Sequence, residues 1–184
     1  MVGNKLSLLK QEIEHYIGLP YSKNILKNGK IIKEQFLGGK GNCRQIATET
    51  IKIAQKQKID LTKLNSQEFY NFQKKNHIGI DCSGLACQLL NFYFQANLNP
   101  LQTSAHMLTS SPISKEITNL NDLKTGDLVR QKNGHHVLFI IEKQDNIIKY
   151  VDSSFSGRGV KYNQADLTDK SFINQGFYRL LFLN

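Results

Sequence analysis

The chain carries three cysteines and five histidines, and one residue of each kind stands where nucleophilic chemistry would need it. Cys82 follows Asp81 in the stretch Gly79-Ile80-Asp81-Cys82-Ser83-Gly84-Leu85. Apolar positions then recur at Leu85, Ala86, Leu89, Leu90, Tyr93 and Phe94, and this three-and-four spacing predicts an amphipathic helix with Cys82 in its first turn. Unsatisfied N–H groups and the positive end of the helix dipole favour an anion there, the setting that a nucleophilic thiolate needs. The competing reading makes Cys82 a small buried apolar residue on the core stripe.

A thiol nucleophile needs a base within hydrogen-bond reach and a third polar group to orient that base. His135 and His136 head an apolar run after a turn at Lys132-Asn133-Gly134. Alternate strand residues face opposite ways, so only one of the two can look at the helix. Asp152 is the candidate orienter, and the geometry is conditional. If Glu142 pairs with Asn146 across a three-residue turn, His136 lies opposite Asp152 on one face; a four-residue turn would pair His136 with Ser153 and send Asp152 to the other. The alternative role for Asp152 is a strand-end cap for the loop from Ser153 to Gly159. Cys43 also lies at an expected helix start and is the rival nucleophile, although no Asp-x-Ser-Gly context surrounds it.

Asp81-Cys82-Ser83-Gly84-Leu85 resembles the nucleophile motif of the NlpC family of cell-wall cysteine peptidases. Leu123-Lys124-Thr125-Gly126-Asp127-Leu128-Val129 resembles the loop and Gly-Asp-Leu strand start of that family, and His136-Val137 resembles its catalytic histidine before valine. Upstream, Ile17-Gly18-Leu19-Pro20-Tyr21 resembles the Gly-x-Pro-Tyr that ends its first helix. The resemblance implies a papain-like core, a Cys82–His136 pair with Asp152 at the place where the family often has histidine and tolerates other polar residues, and Tyr21 beside the cysteine. It also implies Asp81 and Ser83 on the substrate side, where family members read the amino end of a short wall peptide. Asp81 could equally be no more than the helix N-cap. The oxyanion hole would come from backbone N–H groups at the helix start, helped by Tyr21. Three departures stand out: Leu138 replaces a usual glycine and would narrow the cleft, Gly38-Gly39 comes late, and about forty residues separate Gly39 from Asp81.

The elements that must position these residues follow from the pattern. Leu6, Leu9, Ile13, Tyr16 and Ile17 predict a first helix stopped by Gly18 and Pro20, and Asn28-Gly29 between short apolar runs predicts a hairpin. Asn42 would cap a helix from Cys43 to about Lys58, and Asn65 with Glu68 would cap another carrying Phe69 and Phe72, so residues 42–76 read as a helical insert. Residues 101–122 are polar with no firm period, and His106 among them reads as a surface residue. From Leu128 the period changes to two: Leu128–Gln131, His135–Glu142, Ile147–Ser153 and Phe177–Leu183 read as antiparallel strands. Helices first and a meander afterwards is an α+β order, with the nucleophile helix packed on the meander.

At 184 residues and 40% hydrophobic content the chain reads as one catalytic domain, residues 1–184. The 24 basic against 15 acidic side chains suit a polyanionic neighbour, yet no basic cluster is dense enough to indicate nucleic acid. Three cysteines make no disulfide framework, and no spacing suits zinc, so no metal or cofactor is expected. No stretch approaches the ~20 apolar residues of a membrane span. The first residues lack the apolar core of a secretory signal. Either the chain is cytoplasmic, or it leaves by a route that needs no such signal, or a signal has been removed. The expected function is a cysteine hydrolase cleaving an amide in the peptide stem of peptidoglycan outside the cytoplasm, as a delivered antibacterial toxin with its immunity or delivery protein, a phage component or a housekeeping enzyme. The alternatives are an amidase or acyltransferase acting on an intracellular lipid or protein, and an inactive binding domain.

Overall fold

The computed structural model describes residues 2–183, an α+β arrangement in which the N-terminal half is helical and the C-terminal half is a six-stranded antiparallel sheet. The first helix, α1 (Val2–Glu14), runs into a turn that ends at Gly18, whose φ of 81° lies in the left-handed region. The hairpin β1 (Ile25–Lys27) and β2 (Lys30–Lys33) turns at Asn28-Gly29, both with positive φ, as that dipeptide dictates. Its aliphatic residues Ile25, Leu26, Ile31 and Ile32 are all exposed.

Helices α2 (Cys43–Lys56) and α3 (Ser66–Lys75) each start in a complete capping box, Asn42 with Gln45 and Asn65 with Glu68. The long connection between Gly39 and Asp81 is therefore helical, and Gln73 at its end donates to Thr50 Oγ1 at 3.3 Å, tying α3 to α2. Helix α4 (Cys82–Phe94) is buried along most of its length, unlike the amphipathic surface helices, because it lies between α1 and the sheet.

The sheet order is β3-β8-β4-β5-β6-β7, built from β3 (Ser114–Glu116), β4 (Leu128–Gln131), β5 (His136–Gln144), β6 (Ile147–Ser154), β7 (Gly159–Asp166) and β8 (Phe177–Leu180). Two of these strands depart from the sequence reading. Gly159–Asp166 is not among the strands read from the sequence, because its outer positions are Lys161, Tyr162, Asn163 and Gln164, the pattern of an exposed edge; in the fold it pairs with β6 along its whole length. Ser114–Glu116 has no period of its own and becomes a strand only by pairing with β8. The last strand also stops at Leu180 rather than Leu183, and residues 181–183 form a single 3₁₀ turn.

The sheet separates two apolar clusters. Val137, Phe139, Ile141 and Val151 pack with Leu85, Leu89 and Leu90 of α4 and with Leu9 and Ile13 of α1. Leu138, Ile140, Ile148 and Val129 pack on the other face with Ile117, Leu123 and Phe177. Leu138 therefore does not narrow any cleft, contrary to the sequence expectation; it fills this second cluster at 2% exposure. Asp127, at the start of β4, is 1% exposed and receives Arg179 Nε and Nη2, each at 2.7 Å, which locks β4 to β8. Among the described residues, no helix is long and apolar enough to cross a membrane.

Candidate active site

Cys82 is the first residue of α4, and Asp81 caps the helix by accepting from Gly84 N at 2.6 Å. The cap stands on a backbone clamp without side chains. Ile80 N donates to Pro20 O at 3.0 Å, Ser22 N to Ile80 O at 3.2 Å, and Asp81 N to Gly39 O at 2.8 Å. A Cβ at Gly79 would fall 2.1 Å from Pro20 O, and one at Gly39 would fall 1.9 Å from Ser22 O. Only glycine permits this approach. The clamp brings Tyr21, Lys40 and Cys82, far apart in sequence, to one place.

His136 is the first residue of β5, buried at 6% exposure, and its Nε2 lies 3.1 Å from Asp152 Oδ2. With Nε2 engaged, Nδ1 is the nitrogen left for Cys82, whose thiol is close enough to act on the charge of the imidazole. Burial opposes a charge on this imidazole, but the hydrogen bonds and charges of Asp152 and Cys82 outweigh it and hold His136 up at about 9. His135 is exposed and turns its side chain to the open cleft, while its carbonyl oxygen accepts from Cys82 Sγ at 3.9 Å.

Asp152 reaches His136 by a route different from either turn considered in sequence. Gln144 pairs with Ile147, so the connecting turn has two residues, Asp145 and Asn146. That register alone would put Asp152 opposite Phe139, on the face away from His136. The ladder shifts by one between Ile140 and Glu142, and Phe139 then pairs with Val151. Continued outward, the shifted register sets Asp152 across from Leu138, two residues from His136 and on its face. One bulge at Ile141 thus decides whether the carboxylate can meet the imidazole. The other carboxylate oxygen, Oδ1, accepts from Asn163 Nδ2 at 3.0 Å, a contact supplied by the strand β7 that sequence reasoning missed.

Tyr21 lies beside the thiol at the cleft wall, with Phe155 packed edge-on at a centroid distance of 6.5 Å. Burial, then the charges of Cys82 and Asp81, push its hydroxyl well above the ordinary range, so it remains a hydrogen-bond donor. Lys40 is the main residue that the sequence did not single out. Its side chain is 13% exposed, and its Nζ donates to Asp81 Oδ1 at 3.0 Å, to Ser83 Oγ, and to Thr103 O at 3.2 Å. Ser83 Oγ in turn donates to Asp81 Oδ1 at 3.2 Å.

These residues line an open cleft of about 390 Å³ whose far wall is formed by residues 101–106 and by Gly134 and His135. His106 belongs to that wall, and Arg130 Nη2 lies 3.3 Å from its Nδ1. Ser104 caps the short helix α5 (Ala105–Leu108) by accepting from Met107 N.

The rival Cys43 is placed elsewhere. Its thiol lies 3.7 Å from Glu12 Oε1, and burial and that carboxylate push it up, the opposite of activation. Cys87 is fully buried, and burial pushes it up to about 12. Compared with protein-family models, curated proteins and solved structures, the chain finds no match.

Proposed function

We propose that this protein is a cysteine hydrolase of NlpC-like, papain-like design that cleaves an amide bond in the peptide stem of peptidoglycan. The observation that carries the reading is the convergence of a helix-start cysteine, a buried histidine and a buried carboxylate at the foot of an open cleft. A binder has no use for that set.

The chemistry follows from the placement. His136, held charged near neutral pH, already keeps the proton on Nδ1, and the sulfur of Cys82 bonds to the carbonyl carbon as a thiolate. The Cys82 N–H, which has no acceptor inside its own helix, and the Tyr21 hydroxyl face the developing oxyanion. The C–N bond breaks as His136 gives the proton to the leaving nitrogen, and the amine departs. Water then gives a proton to His136 and attacks the thioester; the C–S bond breaks, the acid departs, and the thiolate beside the charged imidazole is restored. Asp152 holds the imidazole with Nδ1 toward sulfur and stabilises its charged form, and Asn163 steadies Asp152. The net charge of +9 suits an anionic wall polymer.

A second reading, an amidase or acyltransferase acting on a lipid, draws on the exposed Leu26 and Leu101 at the same cleft. Incubation with purified sacculi separates the two. The expected result is release of stem fragments with a new amine, seen by mass, lost in Cys82→Ala and retained in Cys43→Ala. Intact sacculi beside release of a fatty acid from lipid amides would favour the second reading, and equal release by Cys82→Ala would remove the nucleophile.

A further inference from the structure

Among the described residues that line the cleft, the one carboxylate, that of Asp81, is already paired with a cation. Asp81 Oδ1 accepts from Gly84 N at 2.6 Å, from Ser83 Oγ at 3.2 Å and from Lys40 Nζ at 3.0 Å. Its side chain is 6% exposed, so a cationic group entering the cleft would have to break a partly desolvated ion pair to reach it. Lys40 is equally committed, its three protons going to Asp81, Ser83 and Thr103. Of the other charged groups near the cleft, Lys23 lines it, Arg130 stands behind His106 at 3.3 Å, and the buried Asp152 is taken up by His136. Lysine is almost never so enclosed without a partner, and here the tight Leu37-Gly38-Gly39 turn, with φ of 47°, 63° and 81°, delivers it to this pole of the cleft.

We infer that this cleft selects an anionic acyl donor, one bearing a carboxylate near the scissile amide rather than a free ammonium group, and that Lys40 is the residue that sets this selectivity. The inference rests on Cys82 being the nucleophile. It departs from what the sequence resemblance implies for Asp81 and Ser83, an acceptor for a peptide's amino end. With Lys40 on Asp81, an ammonium meets a spent carboxylate and two further positive side chains. A carboxylate meets Lys23 and the positive end of α4.

The test needs no knowledge of the substrate. Two methanethiosulfonates of similar size, one ending in a sulfonate and one in a trimethylammonium group, react with a thiolate to form a disulfide and release methanesulfinate. Rates at Cys82 are read by peptide mass in a Cys43→Ser background at low salt, each divided by the rate for free cysteine. The expected result is preference for the sulfonate reagent by about tenfold. His136 itself favours an anion, so the variant comparison is decisive: Lys40→Met leaves Asp81 uncompensated, adding one negative charge close to the thiol, and lowers the preference about fivefold or more. Lys40→Arg, which keeps the charge, retains it, and the neutral pair Lys40→Met with Asp81→Asn restores part of it. A melting curve for each variant confirms that the reagents see folded protein, and the Arg variant serves if Lys40→Met does not fold. Reaction at Cys82 with the same preference in wild type and Lys40→Met, or faster reaction with the ammonium reagent in wild type, overturns the selectivity while leaving the nucleophile in place. No reaction at Cys82 with either reagent overturns both.

Discussion

Replacing Asp152 by asparagine separates a carboxylate that orients the imidazole from one that merely ends a strand. The change keeps the shape and the capacity to accept a hydrogen bond, but removes a charge 3.1 Å from His136 Nε2 in a site where both side chains are under a tenth exposed. His136 stands at about 9 against an ordinary 6.5. An opposite charge at this distance holds a pKa by ~1 to 3 pH units, so the Asp152→Asn midpoint should fall by at least ~1 pH unit. The displacement also sets a slope in stability. Because the folded value is the raised one, the contribution is complete below about 6.5, where both states are protonated, and is lost as pH rises through about 9. At about 1.4 kcal/mol per pH unit, the 2.5 units between 6.5 and 9 amount to roughly 3.5 kcal/mol at most, shared between Asp152 and Cys82. The assay is the His136 Cε1–H resonance against pH in both proteins, beside urea midpoints at pH 6 and pH 9.5. Wild type should lose stability between those two values, and Asp152→Asn should lose measurably less. An unmoved His136 midpoint with a uniformly lower stability would refute the orienting role and leave Asp152 as a structural residue.

His136→Ala should lower turnover by several orders of magnitude, whereas His135→Ala, whose side chain is exposed, should cost less than about tenfold; kcat for both decides whether the base is the buried or the open histidine. Tyr21→Phe keeps the packing on Phe155 and removes only the donor, so kcat should fall about tenfold or more with KM nearly unchanged, while an effect confined to KM would make Tyr21 a binding residue. Gly39→Ala places a Cβ 1.9 Å from Ser22 O at a φ of 81° and should cost about 3 kcal/mol or more, a melting point lower by roughly 6 to 12 °C; an unchanged melting curve would mean that the backbone clamp can open without loss.

Much of the local structure is legible in the chain itself, because its causes lie within a few residues. Asn42 with Gln45 and Asn65 with Glu68 start their helices, Asn28-Gly29 turns its hairpin, and Asp81 followed by an apolar period places Cys82 at a helix start. His136 is preferred to His135 only through the resemblance, in which the histidine directly precedes valine; alternation alone says that one of the two faces the helix. The relation between strands could not be read this way. A side chain changes face with every residue, so the meeting of His136 and Asp152 depends on one inserted residue at Ile141, and nothing local marks Ile141 as different from its apolar neighbours. The edge strand Gly159–Asp166, and with it Asn163 on Asp152, stayed hidden because a strand with an exposed polar side carries no apolar alternation. Lys40 is one lysine among many in sequence; its ion pair with Asp81 exists because glycines at 39 and 79 let three backbone segments touch, and only tertiary contact can set that distance.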